Sequence, residues 1–180
     1  MKRILWLATV LLVAGCSHGL DSGSSAGSLV TPSSSPNSES VQRFPVVNLI
    51  DLATGERVSS DDLVGKARII NFWASWCATC RKEYPLLSDT ALTQHVVGIN
   101  VQDASIGSEQ QREARNLLQE NGIRFKNYVD ADEALTKSLA ISGLPVTIVI
   151  DKNGNIISRH DGVLSRAMLI EFNRKVGSSK

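Results

Sequence analysis

From Phe44 onward the chain alternates short apolar runs with polar breaks rich in Gly, Asp and Asn, and each run has the length of one strand or one helix face. Val46 to Leu52 reads as a strand, Ala53-Thr54-Gly55-Glu56 as a turn, and Arg57 to Ser59 as a short return. Asp61 or Asp62 caps a turn before Gly65. Ala67 to Trp73 and His95 to Val101 are runs of the kind that make buried strands. A helix is expected from about Cys77 into the 80s, kinked at Pro85 because proline has no N–H to give. Ser108 to Asn121 reads as a helix, with Ser108 as its cap, Leu117 and Leu118 on its apolar face, and Gly122 at its end. Phe125 to Val129 follows as a strand, Asp132 to Ala140 as a short helix, and Val146 to Ile150 as another strand. Asp151-Lys152-Asn153-Gly154 turns the chain into Asn155 to His160, and a last helix runs from about Ser165 to Val176. Strands alternating with helices and closed by a hairpin predict an α/β fold, a central mixed sheet with helices on both faces.

The chain before Phe44 follows different rules. Lys2 and Arg3 precede an apolar run, Ile4 to Val13, that is too short to span a bilayer, for which about 20 residues are needed. Such a run fits the core of a signal peptide over 1–15. Val13-Ala14-Gly15-Cys16 then resembles the lipobox of bacterial lipoproteins, which implies cleavage before Cys16 and acylation of its thiol. The alternative, an ordinary cleaved signal, leaves a free reactive thiol outside the cytoplasm. Several acyl chains give the stable anchoring that one chain does not. Ser17 to Arg43 is dominated by Ser, Gly, Pro and Asn and has too little apolar surface to fold. It reads as a tether whose coil spans roughly 25–30 Å and whose full extension reaches about 90 Å. The expected division is 1–15 signal, 16–43 lipidated cysteine and tether, and 44–180 one folded domain.

Charge adds little. The 180 residues carry a formal charge of +1, which becomes −1 once Lys2 and Arg3 leave with the signal. Neither a basic surplus for nucleic acid nor an acidic tail is present.

The chemistry lies in the cysteines. The chain has three, and with Cys16 assigned to the anchor, Cys77 and Cys80 form a C-x-x-C pair between a strand and a helix. At a helix start, free backbone N–H groups favour a thiolate at Cys77. Cys80, one turn on, is close enough to close a disulfide. Cys77 attacks a partner disulfide and Cys80 then releases the partner; the reverse run oxidises a dithiol. A zinc site needs a second pair of ligands, and His18, His95 and His160 are scattered singly. Attachment of c-type haem needs His directly after the second cysteine, where Arg81 stands. No metal and no cofactor are expected.

Trp76-Cys77-Ala78-Thr79-Cys80 after an apolar strand, Pro85, and Gly143-Leu144-Pro145 before another strand resemble thioredoxin. The order of Ile70-Asn71-Phe72-Trp73-Ala74-Ser75-Trp76-Cys77, Arg81-Lys82-Glu83-Tyr84-Pro85, Val97-Gly98-Ile99-Asn100-Val101 and Val146-Thr147-Ile148-Val149-Ile150-Asp151 is similar to the TlpA/ResA-like branch of that superfamily. The resemblance covers 44 to 176 and implies a thioredoxin-like fold with an N-terminal hairpin and a central helix-strand insertion at about 104 to 129. It implies a cis peptide at Pro145, which offers the backbone of Leu144 to an extended client segment. Asn71 stands where thioredoxins carry a buried Asp, and Glu83 where ResA-like proteins carry an acid beneath the cysteines. For Glu83 the bland alternative is an exposed helical acid; for Trp76 it is plain packing, against shielding the disulfide and shaping the client groove. Arg81 and Lys82 read as a solvated helix face, and Trp73 as core. Ala78 and Thr79 depart from the Pro-containing dipeptides common in the family.

The expected function is disulfide exchange with exported cysteine-containing proteins. As a reductase it serves, for example, apocytochrome c and draws electrons from an integral-membrane thiol carrier. Two alternatives stay open: an oxidase or isomerase for secreted proteins, and a non-catalytic lipoprotein that carries copper on the pair.

Overall fold

The N-terminal hairpin forms where the turn residues place it, between β1 (Asn48–Asp51) and β2 (Arg57–Ser59). The computed structural model describes residues 41–102 and 107–179. The signal segment, Cys16 and the tether up to residue 40 lie outside the described residues, as do 103–106 at the start of the expected insertion. The last tether residues behave differently from the coil expected of them: Arg43 bridges Asn155, the Ile156 N–H donates to Gln42 O, and Arg43 Nη2 donates to Asn153 O at 2.6 Å. Backbone pairing of this kind leaves no trace in side-chain composition.

A 3-10 turn at Ser60–Leu63 follows the hairpin, capped by Ser59, whose hydroxyl accepts the Asp61 N–H, and not by either aspartate. Then come β3 (Arg68–Trp73), a 3-10 turn at Cys80–Glu83, α1 (Tyr84–Leu87), β4 (Val96–Asn100) and α2 (Glu109–Glu120). β5 (Asn127–Val129), α3 (Ala134–Ser138), β6 (Val146–Ile150), β7 (Ile156–Asp161) and α4 (Arg166–Ser178) complete the described chain. The Ser hydroxyls at 108 and 165 cap α2 and α4 by accepting the N–H of Gln111 and Met168. Gly154, at φ 79°, supplies the left-handed position of the β6–β7 turn.

The strands form one sheet in the order β2-β1-β5-β4-β3-β6-β7. β3, β4 and β5 are parallel; β6 runs antiparallel to β3, and β7 to β6. The strand expected in the insertion, β5, lies between β1 and β4 and joins the hairpin to the central strands. Successive side chains of β3 point to opposite faces. Ile70 and Phe72 pack with Leu135 and Leu139 on one face. On the other, Ile69 packs with Leu169 and Phe172 of α4, and Trp73 with Ala114 of α2. Helices therefore cover both faces, and the sheet core delivers the end of β3 to a fixed point. No helix among the described residues is long and apolar enough to cross a membrane.

Candidate active site

The end of β3 leads directly into the cysteine pair. The Cys77 N–H turns back to Ala74 O at 3.1 Å. The Ser75 N–H donates to Gln102 Oε1 at 2.9 Å, and Arg81 Nη2 donates to Ser75 O at 2.9 Å. These bonds from β4's continuation and from the following turn pin the segment before Cys77. Arg81, read from sequence as a solvated face, thus has a holding function.

Cys77 and Cys80 form a disulfide with their Cα atoms 5.3 Å apart. The α-helix expected from about Cys77 starts later than that. Residues 80–83 wind as a 3-10 turn, and the α-helical turn begins only at Tyr84. Pro85 explains this: it has no N–H to send to Arg81 O, and the Tyr84 N–H takes that carbonyl from three residues away instead. The donor expected at Cys77 is nonetheless present, since the Cys80 N–H points at Cys77 Sγ from 3.1 Å.

The two sulfurs differ in access. Both residues are buried in the disulfide form, Cys77 at 4 % exposure and Cys80 at 1 %, so the cysteine expected to attack first differs from its partner in rank of access and is not a bare side chain. Cys77 lines an open groove of about 420 Å³ together with Trp76, Thr79, Ile141, Gly143 and Leu144, and Cys80 is not part of that lining. Trp76 is 67 % exposed, an unusual position for so large an apolar ring. The Leu144–Pro145 peptide is cis. A larger depression of about 640 Å³, beside Leu52, Arg115 and Phe125, contains none of these residues and no cysteine.

Glu83 is not an exposed helical acid. It is 1 % exposed. Its Oε1 accepts the Leu164 N–H at 2.6 Å and its Oε2 accepts Asn71 Nδ2 at 3.1 Å. Burial pushes the carboxyl above the ordinary glutamate range; the Leu164 N–H, the Asn71 amide and the nearby His160 pull against that without cancelling it. In a 3-10 turn, side chains three apart eclipse one another. Cys80 and Glu83, its two ends, accordingly share the turn's inner face. Asn71 also donates to Thr147 Oγ1 at 3.1 Å, so a neutral amide on β3 ties the acid to β6. Sequence reasoning does not single out Thr147, Leu164 or Thr79 as site residues. Thr147 leaves a signal, a polar residue at an inward position of an otherwise apolar run; the Leu164 N–H, a backbone group, leaves none.

A cysteine pair just beyond the end of a central strand, a cis-proline loop across from it and this sheet order define a thioredoxin-like thiol-disulfide oxidoreductase. A profile of the Redoxin family matches residues 39–173, and the chain belongs to that family. It is 26% identical over 124 residues to the thiol-disulfide oxidoreductase ResA of Bacillus subtilis (strain 168), covering 69% of this chain and 69% of that one. It is 29% identical over 174 residues to the thiol:disulfide interchange protein HelX of Rhodobacter capsulatus, covering 94% and 93%. The crystal structure of StoA from Bacillus subtilis matches in fold, with a TM-score of 0.57 at 24% identity over 72% of this chain and 97% of that one.

Proposed function

We propose that the protein is a reductase of disulfides in exported proteins, held at the outer face of a cell membrane by a lipid on Cys16. The supporting observation is the single turn that carries both Cys80 and the buried carboxyl of Glu83. A strongly oxidising pair needs its reduced thiolate stabilised, because that makes the disulfide a ready electron acceptor. A carboxylate on the same inner face acts in the opposite sense, opposing a second negative charge. Ala78 and Thr79 supply no cation to offset it.

In this reading Cys77 acts first, as a thiolate in the groove. It attacks one sulfur of a client disulfide, forming a mixed disulfide and releasing the first client sulfur as a thiolate. Cys80, deprotonated with Glu83 as proton acceptor, attacks Cys77 Sγ. The Cys77–Cys80 disulfide forms and the second client sulfur leaves as a thiolate, which takes up a proton. The client gains two electrons and the pair loses two. A membrane-embedded dithiol donor restores the pair by the same steps in reverse. Trp76 and the Leu144 backbone line the path of the client segment. Clients are exported proteins with cysteine pairs, apocytochrome c before haem attachment among them.

Equilibration with glutathione and thioredoxin buffers tests the direction. The expected potential lies nearer to about −270 mV than to about −120 mV, the reducing and oxidising ends of this fold's range. A value at the oxidising end, with Cys77 and Cys80 found only as the disulfide in cells, overturns the reductase in favour of an oxidase.

A further inference from the structure

Thr79 has one hydroxyl proton and two acceptors. Its Oγ1 donates to Leu144 O at 3.3 Å and lies 3.3 Å from Cys77 Sγ. Thr79, Cys77 and Leu144 all line the same groove. In the disulfide, Cys77 Sγ is a weak neutral acceptor, and the carbonyl is the better partner for the proton. Reduction to the Cys77 thiolate reverses that ranking, since a hydrogen bond to an ionised acceptor is roughly twice as strong as a neutral one. The two distances are equal in the disulfide form, so rotation about the Cβ–Oγ1 bond is enough to redirect the proton from one acceptor to the other.

We propose that Thr79 is a redox-coupled gate on client binding. In the oxidised protein its hydroxyl caps the Leu144 carbonyl. In the reduced protein it turns to the Cys77 thiolate and leaves that carbonyl open to a backbone N–H of an extended client. The gate rests on the reading of Leu144 as a client-docking position. Its consequence is directional. The reduced form, which has electrons to give, has an open docking carbonyl. The oxidised form left after transfer has a capped one, and this favours release of the reduced client. No covalent step is added; only a hydrogen bond changes partner.

The test uses the full chain and an unstructured decapeptide with a central Ser in place of Cys, which docks but cannot react. Calorimetry compares the disulfide form with the dithiol form held at a pH above the Cys77 pKa. The reduced wild type is expected to bind the peptide about tenfold more tightly, one unit of pK. Thr79→Val, which keeps the shape and loses the proton, is expected to bind both forms alike and at the tighter level. Thr79→Ser restores the difference. Independently of any client, titration of the reduced protein by thiolate absorbance should show Cys77 raised by about one unit in Thr79→Val and not in Thr79→Ser. A redox difference that survives in Thr79→Val, or an unmoved titration, overturns the gate. A peptide that binds neither form refutes docking at Leu144 and the gate with it. A wild type that binds both forms equally leaves docking intact and refutes the gate alone.

Discussion

Replacing Glu83 by Gln keeps the size of the side chain and removes its charge. The Leu164 N–H still finds an oxygen, and the Asn71 carboxamide can turn to face the new amide while remaining beside Thr147. The fold is therefore expected to survive, and two pH profiles to change. The folded protein holds Glu83 with a raised pKa, so the protonated carboxyl is the form that folding favours. That stabilisation is complete below the pKa of the unfolded chain and is lost as pH climbs through the higher folded value. The thermal midpoint of the oxidised protein should fall across that interval, and Glu83→Gln should flatten the fall. In the reduced protein, losing the carboxylate should lower the cysteine titration by roughly one unit, about 1.4 kcal/mol, and slow exchange at the step where Cys80 gives up its proton. Unchanged titration and rate would leave Glu83 a structural residue only. The sequence places this residue through a resemblance, since helical spacing alone also fits an exposed acid. Its burial depends on Asn71, Thr147 and Leu164, which lie far from it in sequence and meet only when β3, β6 and the approach to α4 pack together.

At the scale of the element, β4 shows what a strand pattern can and cannot say. The run His95 to Val101 announces a buried strand, and the observed β4 (Val96–Asn100) lies within it. Nothing in that run says why its centre is Gly98. The structure does: a Cβ there would fall inside the Asn127 carboxamide and 3.1 Å from Trp73 Nε1. Asn127 accepts the Trp73 indole N–H at 2.9 Å and donates to Phe125 O at 2.9 Å, so the glycine leaves room for a polar tie from β5 to the last residue of β3. Gly98→Ala is expected to displace that tie and lower stability by about 1–3 kcal/mol, the usual cost of overpacking a filled interior. Denaturant melts should show a lower midpoint at unchanged slope, and the fluorescence of Trp73 should shift as its hydrogen bond is lost. A wild-type midpoint would mean that Asn127 has a second, equally good place to go. The turn after Cys77 is less legible for a related reason. The sequence reads as a helix from about Cys77 into the 80s, but one missing N–H at Pro85 is enough to tighten the turn before it.

At the scale of the whole molecule, the order of elements is legible and their pairing is less so. Periodicity reports that a strand exists near 127; it does not report that the strand enters the sheet between β1 and β4. The N-terminal segment is the opposite case, since its meaning lies in composition: a charged start, an apolar run, then Cys16, then a stretch dominated by Ser, Gly, Pro and Asn. If Cys16 carries the lipid and the Ser-rich stretch after it is the coil its composition implies, the thioredoxin-like domain stays within a few tens of ångströms of the membrane. A membrane-embedded donor then meets the Cys77–Cys80 pair at an effective concentration of about millimolar, the range for short flexible linkers. Cys16→Ser removes the anchor and leaves the site untouched, so its effects should divide. A fatty-acid probe should label the wild type and not the variant, and the variant should leave the membrane fraction. The purified variant should reduce insulin at the wild-type rate, because the groove and both cysteines are unchanged. In cells its Cys77–Cys80 pair should accumulate as the disulfide, because recharging by the proposed donor falls from a tethered encounter at the membrane surface to a dilute bimolecular one. Label retained by Cys16→Ser would place the lipid elsewhere. A pair that stays as reduced in the variant as in the wild type would show that recharging does not depend on the tether.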